Sequence, residues 1–404
     1  MARLGRIFDR AAGRPLGRPT PSSLADAARR GAHAARHSKL ARPQDRADVF
    51  DLDLHVAVIA DVRTQLDRRG ATLADWTLSG HSWVAGRSRD PVAVVNERTW
   101  HSFGPRLARR FRRVYGSYLA TFRGFVATYP PCFALLYAGL GKPTLAVAAT
   151  RYEWPFTHDA RRWGWLDESL RQGVADGWLT LAANNRADAD YLENYTGLKP
   201  TFIPSACSYT TDRYTGRIPE AVICTPNDAL ADAICAELKQ PAIPLRRGLG
   251  RYTPAQLYDR RALVFIPYNV SIMALFEHYA ACAPIYVPDR PLLKQLMREY
   301  PGDVLSSLSF AQVTGRPAAR KGVRDLNDVR DEQVVDWYLD RADFYDAEWM
   351  PLIRQFESWP HLDHLLATDD PESISAAMRA AQSERLARID ALWDELGWID
   401  RVAR

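Results

Sequence analysis

Residues 263–287 read LVFIPYNVSIMALFEHYAACAPIYV, and this stretch decides the fold class. Ala262–Ile266 is a short unbroken apolar run, which suits a strand buried on both faces. Pro267 ends it, and Tyr268, Asn269 and Ser271 form a polar turn in which Asn269 or Ser271 is expected to cap the next helix. Ser271–Ala281 then carries apolar residues at helical spacing, Pro284 stops the helix, and Ile285–Val287 is a second strand. Two strands joined through a helix lie parallel, because only a crossover returns the chain to the same sheet edge. The unit therefore belongs to an α/β protein.

The same grammar extends upstream. Ala221–Cys224 reads as a strand, Asn227-Asp228 as the cap of a helix over Ala229–Leu238, and Ala242–Leu245 as the next strand. An earlier set begins with His55–Ala60 (HVAVIA), expected as a buried strand before a helix that Asp61 opens and Gly70 closes. Trp76–Ser79, Val92–Val95, Phe125–Thr128, Thr144–Ala148, Trp178–Ala182 and Thr201–Ile203 are further expected strands. Leu107–Phe122 is an amphipathic basic helix, and Asn184-Asn185 caps a helix that ends at Gly197. These sets predict two doubly wound, Rossmann-like parallel-sheet domains at 49–208 and 220–330, joined by a polar linker at 209–219 and facing a cleft. Beyond residue 330 the pattern turns helical, with Gln333–Leu339 and Ser373–Leu396, and residues 331–404 are expected to pack back on the domains.

Charge is unevenly placed. The chain has 404 residues and a formal charge of +5, yet residues 1–46 hold ten Arg and one Lys against three Asp, a net +8, which leaves −3 for the rest. Residues 1–48 thus read as a basic arm, mobile or partly helical, and either a solvated tail or a contact for anionic lipid. The arm lacks interleaved aromatics and the body is expected to have no basic stripe, so nucleic acid is not an expected partner. No apolar run reaches the roughly 18 residues of a membrane span, and Arg3, Arg6 and Arg10 break up the N-terminal apolar residues. Five cysteines without CxxC spacing suit a reduced compartment, so a cytosolic protein is expected, with contact at the inner membrane face as an option.

Two segments together resemble glycosyltransferases of the GT-B superfamily. One is Leu179–Ser205, LTLAANNRADADYLENYTGLKPTFIPS, similar to the last unit of the N-terminal domain in that family; the other is Leu263–Val287, similar to its donor-site unit. The resemblance implies a GT-B fold, with transfer of a sugar from a nucleotide-sugar donor to a glycan or lipid-linked acceptor. It implies Glu277 at the donor ribose and Tyr268, Asn269 and Ser271 at the sugar and phosphates. Many retaining members carry Glu eight residues before the ribose Glu, where this chain has Asn269, which leaves stereochemistry open and points toward a branch in surface or capsular polysaccharide synthesis. The family needs no bound metal or other cofactor. In keeping with that, Asp51-Leu52-Asp53 falls before the first expected strand and Asp188-Ala189-Asp190 within an expected helix.

Other residues carry competing readings. His81, in Gly80-His81-Ser82-Trp83 after a strand, is either the base for an acceptor hydroxyl or a hydrogen-bonding loop residue. Arg151 and Glu153, beside Tyr152 and Trp154, suit a carbohydrate acceptor with Trp83, or form a salt-bridged loop. Arg246 and Arg247 flank glycines and can take a diphosphate, or are solvated. Thr225 and Asn227 begin a helix that can meet the same donor. His361 and His364 read as a helix start after Pro360 rather than a metal site. A non-catalytic GT-B-like protein binding a glycan or partner, and an epimerase or phosphorylase on the same scaffold, remain alternatives.

Overall fold

The structure, a computed structural model, describes residues 21–38, 47–308 and 322–403. Two compact units divide the described residues: 21–38, 47–204, 322–325 and 392–403 form the first, and 205–308 with 326–391 form the second.

In the first unit the order is α1 (Pro21–Ser38), β1 (Val49–Asp53), α2 (Val56–Arg68), β2 (Leu73–Thr77), α3 (Pro105–Leu119), β3 (Gly124–Ala127), β4 (Thr144–Ala148), α4 (Ala160–Ala175), β5 (Leu179–Ala183), α5 (Arg186–Thr196) and β6 (Thr201–Phe202). The six strands run β2-β1-β3-β4-β5-β6 and every pairing is parallel. The second unit holds β7 (Ile218–Cys224), α6 (Asp228–Glu237), β8 (Ala242–Pro244), α7 (Pro254–Tyr258), β9 (Arg260–Phe265), α8 (Met273–Ala280), β10 (Ile285–Pro288), α9 (Arg290–Glu299), α10 (Glu332–Leu339), β11 (Arg354–Phe356), α11 (Trp359–Thr368) and α12 (Pro371–Leu396). Its sheet runs β11-β10-β9-β7-β8, again all parallel. The last turn of α12 and α13 (Trp398–Ala403) belong to the first unit. Two open parallel α/β sheets in tandem are thus the architecture. The C-terminal segment is not purely helical, since β11 pairs with β10.

The first strand lies earlier than the sequence predicts. Val49–Asp53 forms β1, while Val56–Ala60 opens α2. A run of six mostly apolar residues fits a buried strand or a helix face equally, and α2 buries Val58, Ile59, Val62 and Leu66 at helical spacing. The true strand was hidden by its own aspartates. Phe50 turns to an aromatic face, where it packs with Trp76, Phe122 and Tyr137 at 4.9, 5.2 and 6.2 Å, while Asp51 pairs in register with Asp75 and Val126. Such aromatic pairs contribute roughly 0.5–1.5 kcal/mol each beyond burial. Val92–Val95 is not a strand either; Val92 and Val95 are buried within a turn-rich segment. Their burial, not pairing, explains their apolar character.

Within the expected mobile arm, residues 21–38 form a packed helix, whereas 1–20 and 39–46 lie outside the described residues. His33 and His37 of α1 meet the Trp76 ring at 4.6 and 4.8 Å, and Arg30 bonds both oxygens of Glu97 at 3.0 Å. Among the described residues no helix is long and apolar enough to cross a membrane.

Candidate functional site

In an open parallel sheet a ligand finds its place beyond the strand C-termini, where neighbouring connections leave in opposite directions. That point falls between β1 and β3 in the first sheet and between β7 and β9 in the second.

In the second unit, β7 ends at Cys224 and runs into Thr225 and Asn227, while β9 ends at Phe265 and runs into Tyr268 and Asn269. The Ile266 amide donates to the Cys224 carbonyl at 2.9 Å, which keeps the two exits side by side. Asn227 caps α6 through its side-chain oxygen, and its amide donates to Asp303 at 2.7 Å. Thr225 is buried and accepts the Asn227 amide at 3.4 Å. Arg246 is exposed and reaches the Pro226 carbonyl at 2.9 Å, which brings its guanidinium to the end of β7. Tyr268 is half-buried, and burial raises its hydroxyl pKa. Glu277, half-buried on α8, accepts a hydrogen bond from the Tyr209 hydroxyl. Tyr252 lies close to Glu277, Cys224 and Arg246, and partial burial followed by Cys224 and Glu277 pushes its pKa up to about 12. Thr225, Asn227, Arg246 and Glu277 therefore gather at one sheet edge, with Tyr268, Asn269 and Ser271 on the turn leading into α8.

Two details differ from the sequence reading. Neither Asn269 nor Ser271 caps α8: the helix starts at Met273, its N-cap position is Ile272, and the Asn269 oxygen accepts the Val270 amide at 2.9 Å. The first turn of α8 thus has no side-chain cap. Arg247 turns away from β7 to an exposed ion pair with Asp232 of α6.

The first-unit edge is built on carboxylates. Asp51 and Asp53 alternate onto one face of β1, beside Asp75 and Thr77 of β2 in register. Asp51 Oδ2 accepts from Thr128 at 3.1 Å and Asp53 Oδ1 from Thr77 at 3.4 Å, whereas Asp51 Oδ1 and Asp53 Oδ2 are buried without a partner. Burial, reinforced by Asp53, pushes the Asp51 carboxyl well above its usual range; burial, reinforced by Asp75, brings Asp53 up to about 7. Asp75 is instead ion-paired with Arg63 and Arg87. His55 follows β1, its Nδ1 buried and unpartnered, and burial with nearby His81 lowers its pKa to about 4. His81 and Trp83 are exposed in the loop after β2, Trp83 at 64%.

Arg151 and Glu153 are not surface contacts for an acceptor. Both are buried, at 3% and 0% exposure; Arg151 pairs with buried Asp188 and lies over the Tyr191 ring at 5.4 Å. Glu153 Oε1 accepts from Tyr191 at 3.0 Å and Thr157 at 3.3 Å, and burial raises its pKa to about 7. The salt-bridged loop is the arrangement found. His361 begins α11, with its amide donating to Ser358 Oγ at 3.2 Å. Among the described residues no group of three or more His, Cys, Asp or Glu is arranged to hold a metal ion.

Asp53, His55, Tyr209 and Tyr252 escaped the sequence reading. The signal for Asp53 was alternation in VFDLD, which places both aspartates opposite Phe50 and Leu52. Tyr209 and Tyr252 carried no local signal.

No protein-family model matches the chain, and no curated protein matches it. A solved structure described as the glycotransferase of kitacinnamycin aligns with 89% of this chain and 100% of its own, at TM-score 0.39 and 11% identity. A likeness that loose carries no argument about activity.

Proposed function

We propose that the protein is a glycosyltransferase that moves a sugar from a nucleotide-sugar donor to a glycan or lipid-linked acceptor, without a bound metal. The observation that carries this reading is the convergence of Glu277, Arg246, Thr225 and Asn227 at the switch point of the second sheet. A carboxylate there suits a ribose diol, and an exposed guanidinium at the end of β7 suits a diphosphate. Tyr209 holds the Glu277 carboxylate in place, so an aligned acceptor for ribose hydroxyls exists before a ligand arrives. Arg246 and backbone N–H groups would offset charge on the leaving diphosphate. On the acceptor side, His81 takes the hydroxyl proton and Trp83 offers a ring to a sugar face.

A thermal-shift panel of UDP, GDP, ADP and CMP with their common sugar conjugates, run with and without EDTA, tests the reading. A ligand that binds only the native state raises the melting temperature by mass action. One nucleotide is expected to stabilise the wild type, with the shift lost in Glu277→Ala and unchanged by EDTA. If no nucleotide shifts the protein, glycosyl transfer is refuted and a non-catalytic binding protein takes its place. If the donor is consumed without acceptor, an epimerase or phosphorylase replaces it.

A further inference from the structure

Helix α3 has five arginines and no acidic residue. Its apolar face (Ala108, Phe111, Tyr115, Tyr118 and Leu119) is buried in the first unit. Arg106, Arg109, Arg110 and Arg113 are exposed at i, i+3, i+4 and i+7, which is one face of a helix, and together they line a concavity of about 380 Å³. None of the four is ion-paired among the described residues, in contrast to Arg63, Arg87, Arg162, Arg217 and Arg247, which all have carboxylate partners. The body of the protein therefore does carry a basic stripe, one that the helical register assembles.

Arg109 also lines a second groove of about 500 Å³ between α3 and α4, within the range of small-ligand sites. Its wall includes Trp165, Trp178, Ser169, Gln172, Glu168 and Asp176. Trp178 owes its position to Gly173: a Cβ there would lie 2.7 Å from the ring, so only glycine lets the indole settle against α4. Glu168 and Asp176 are exposed, and Asp176 already accepts from the Gln172 amide at 2.6 Å.

We propose that these joined grooves bind an acidic carbohydrate chain, with its anionic groups on the arginine row and its sugar rings against the tryptophans. The position of the carboxylates distinguishes this ligand from nucleic acid. They accept hydrogen bonds from sugar hydroxyls, which the interior of a DNA strand does not offer beside the same rings. The face also differs from a lipid-binding one. Interfacial helices turn large apolar residues to the bilayer, whereas Phe111, Tyr115, Tyr118 and Leu119 of α3 are buried, and its half-buried Leu107 and Val114 are not among the exposed large hydrophobics. The site lies on different residues from the donor and acceptor candidates and does not depend on the transfer reading.

The test is fluorescence anisotropy of the full chain with a labelled hexauronate prepared from alginate, beside a neutral glucan hexasaccharide, a dT hexamer and phosphatidylserine vesicles. The hexauronate is expected to bind in preference to all three and to weaken as salt rises. Arg109→Gln with Arg113→Gln should weaken it about tenfold without changing the melting temperature or any nucleotide-induced shift. Gln172→Ala, an exposed change that keeps the charge, should weaken the hexauronate as well. Equal binding of hexauronate and neutral glucan, tighter binding of the dT hexamer or vesicles, or an unaffected double variant would each overturn the proposal.

Discussion

Asp53→Asn is expected to stabilise the protein at neutral and alkaline pH. The carboxyl at the end of β1 has an ordinary reference value of 3.8 and is held at about 7, chiefly by burial and then by Asp75. Below 3.8 it is protonated in both the folded and unfolded chains and contributes no pH dependence. As pH rises from 3.8 to 7 the unfolded chain ionises first, so stability falls; above 7 the full cost is present. Since each pKa unit is worth 1.36 kcal/mol, that cost is ~4 kcal/mol, of which roughly 2–3 kcal/mol develops between pH 5 and pH 8. Asparagine keeps an oxygen for the Thr77 hydroxyl and removes the ionisation. Urea unfolding of the full chain at pH 5 and pH 8, with hydrogen exchange of the β1 amides to locate the effect, measures the difference between variant and wild type. Glu153 titrates in both proteins, and Asp51, which Asp53 helps to raise, relaxes in the variant, so the difference reports Asp53 together with its effect on Asp51. A variant less stable than wild type at pH 8, or one with the wild-type pH slope, refutes the reasoning.

Two further predictions follow from packing. Gly124→Ala places a Cβ 2.8 Å from Val402 Cγ2 and 3.1 Å from the Pro143 carbonyl; overpacking of this kind costs about 1–3 kcal/mol, and chemical denaturation together with exchange at α13 should register it. Arg151→Met leaves Asp188 buried without its cation and should cost about 3–5 kcal/mol, while adding Asp188→Leu should recover much of that loss; a single variant as stable as wild type would show that the pair does not support the fold.

Local sequence determined the kind of protein this is. Short apolar runs, proline stops and asparagine caps act within a few residues, so Thr144–Ala148, the cap at Asn185 and the cap at Asn227 were legible without any tertiary information. The places of Thr225, Asn227 and Tyr268 just after strand ends were legible for the same reason, since strand ends and the turns after them are local features. What the sequence could not decide was anything set by an environment. Asp51 and Asp53 looked too polar for a central strand, and only parallel pairing with β2 and β3 shows that one face of β1 is apolar and the other carries carboxyls against Thr77 and Thr128. Arg151 and Glu153 read as a sugar-binding pair until burial against Asp188 and Tyr191 made them internal. Tyr209 meets Glu277 across 68 residues of chain, and the arginines of α3 become a stripe only when their helix buries its other face. Spacing along the chain fixes secondary structure, whereas desolvation and long-range contact, which spacing does not encode, decide which charges are paired, which are neutral and which face a ligand.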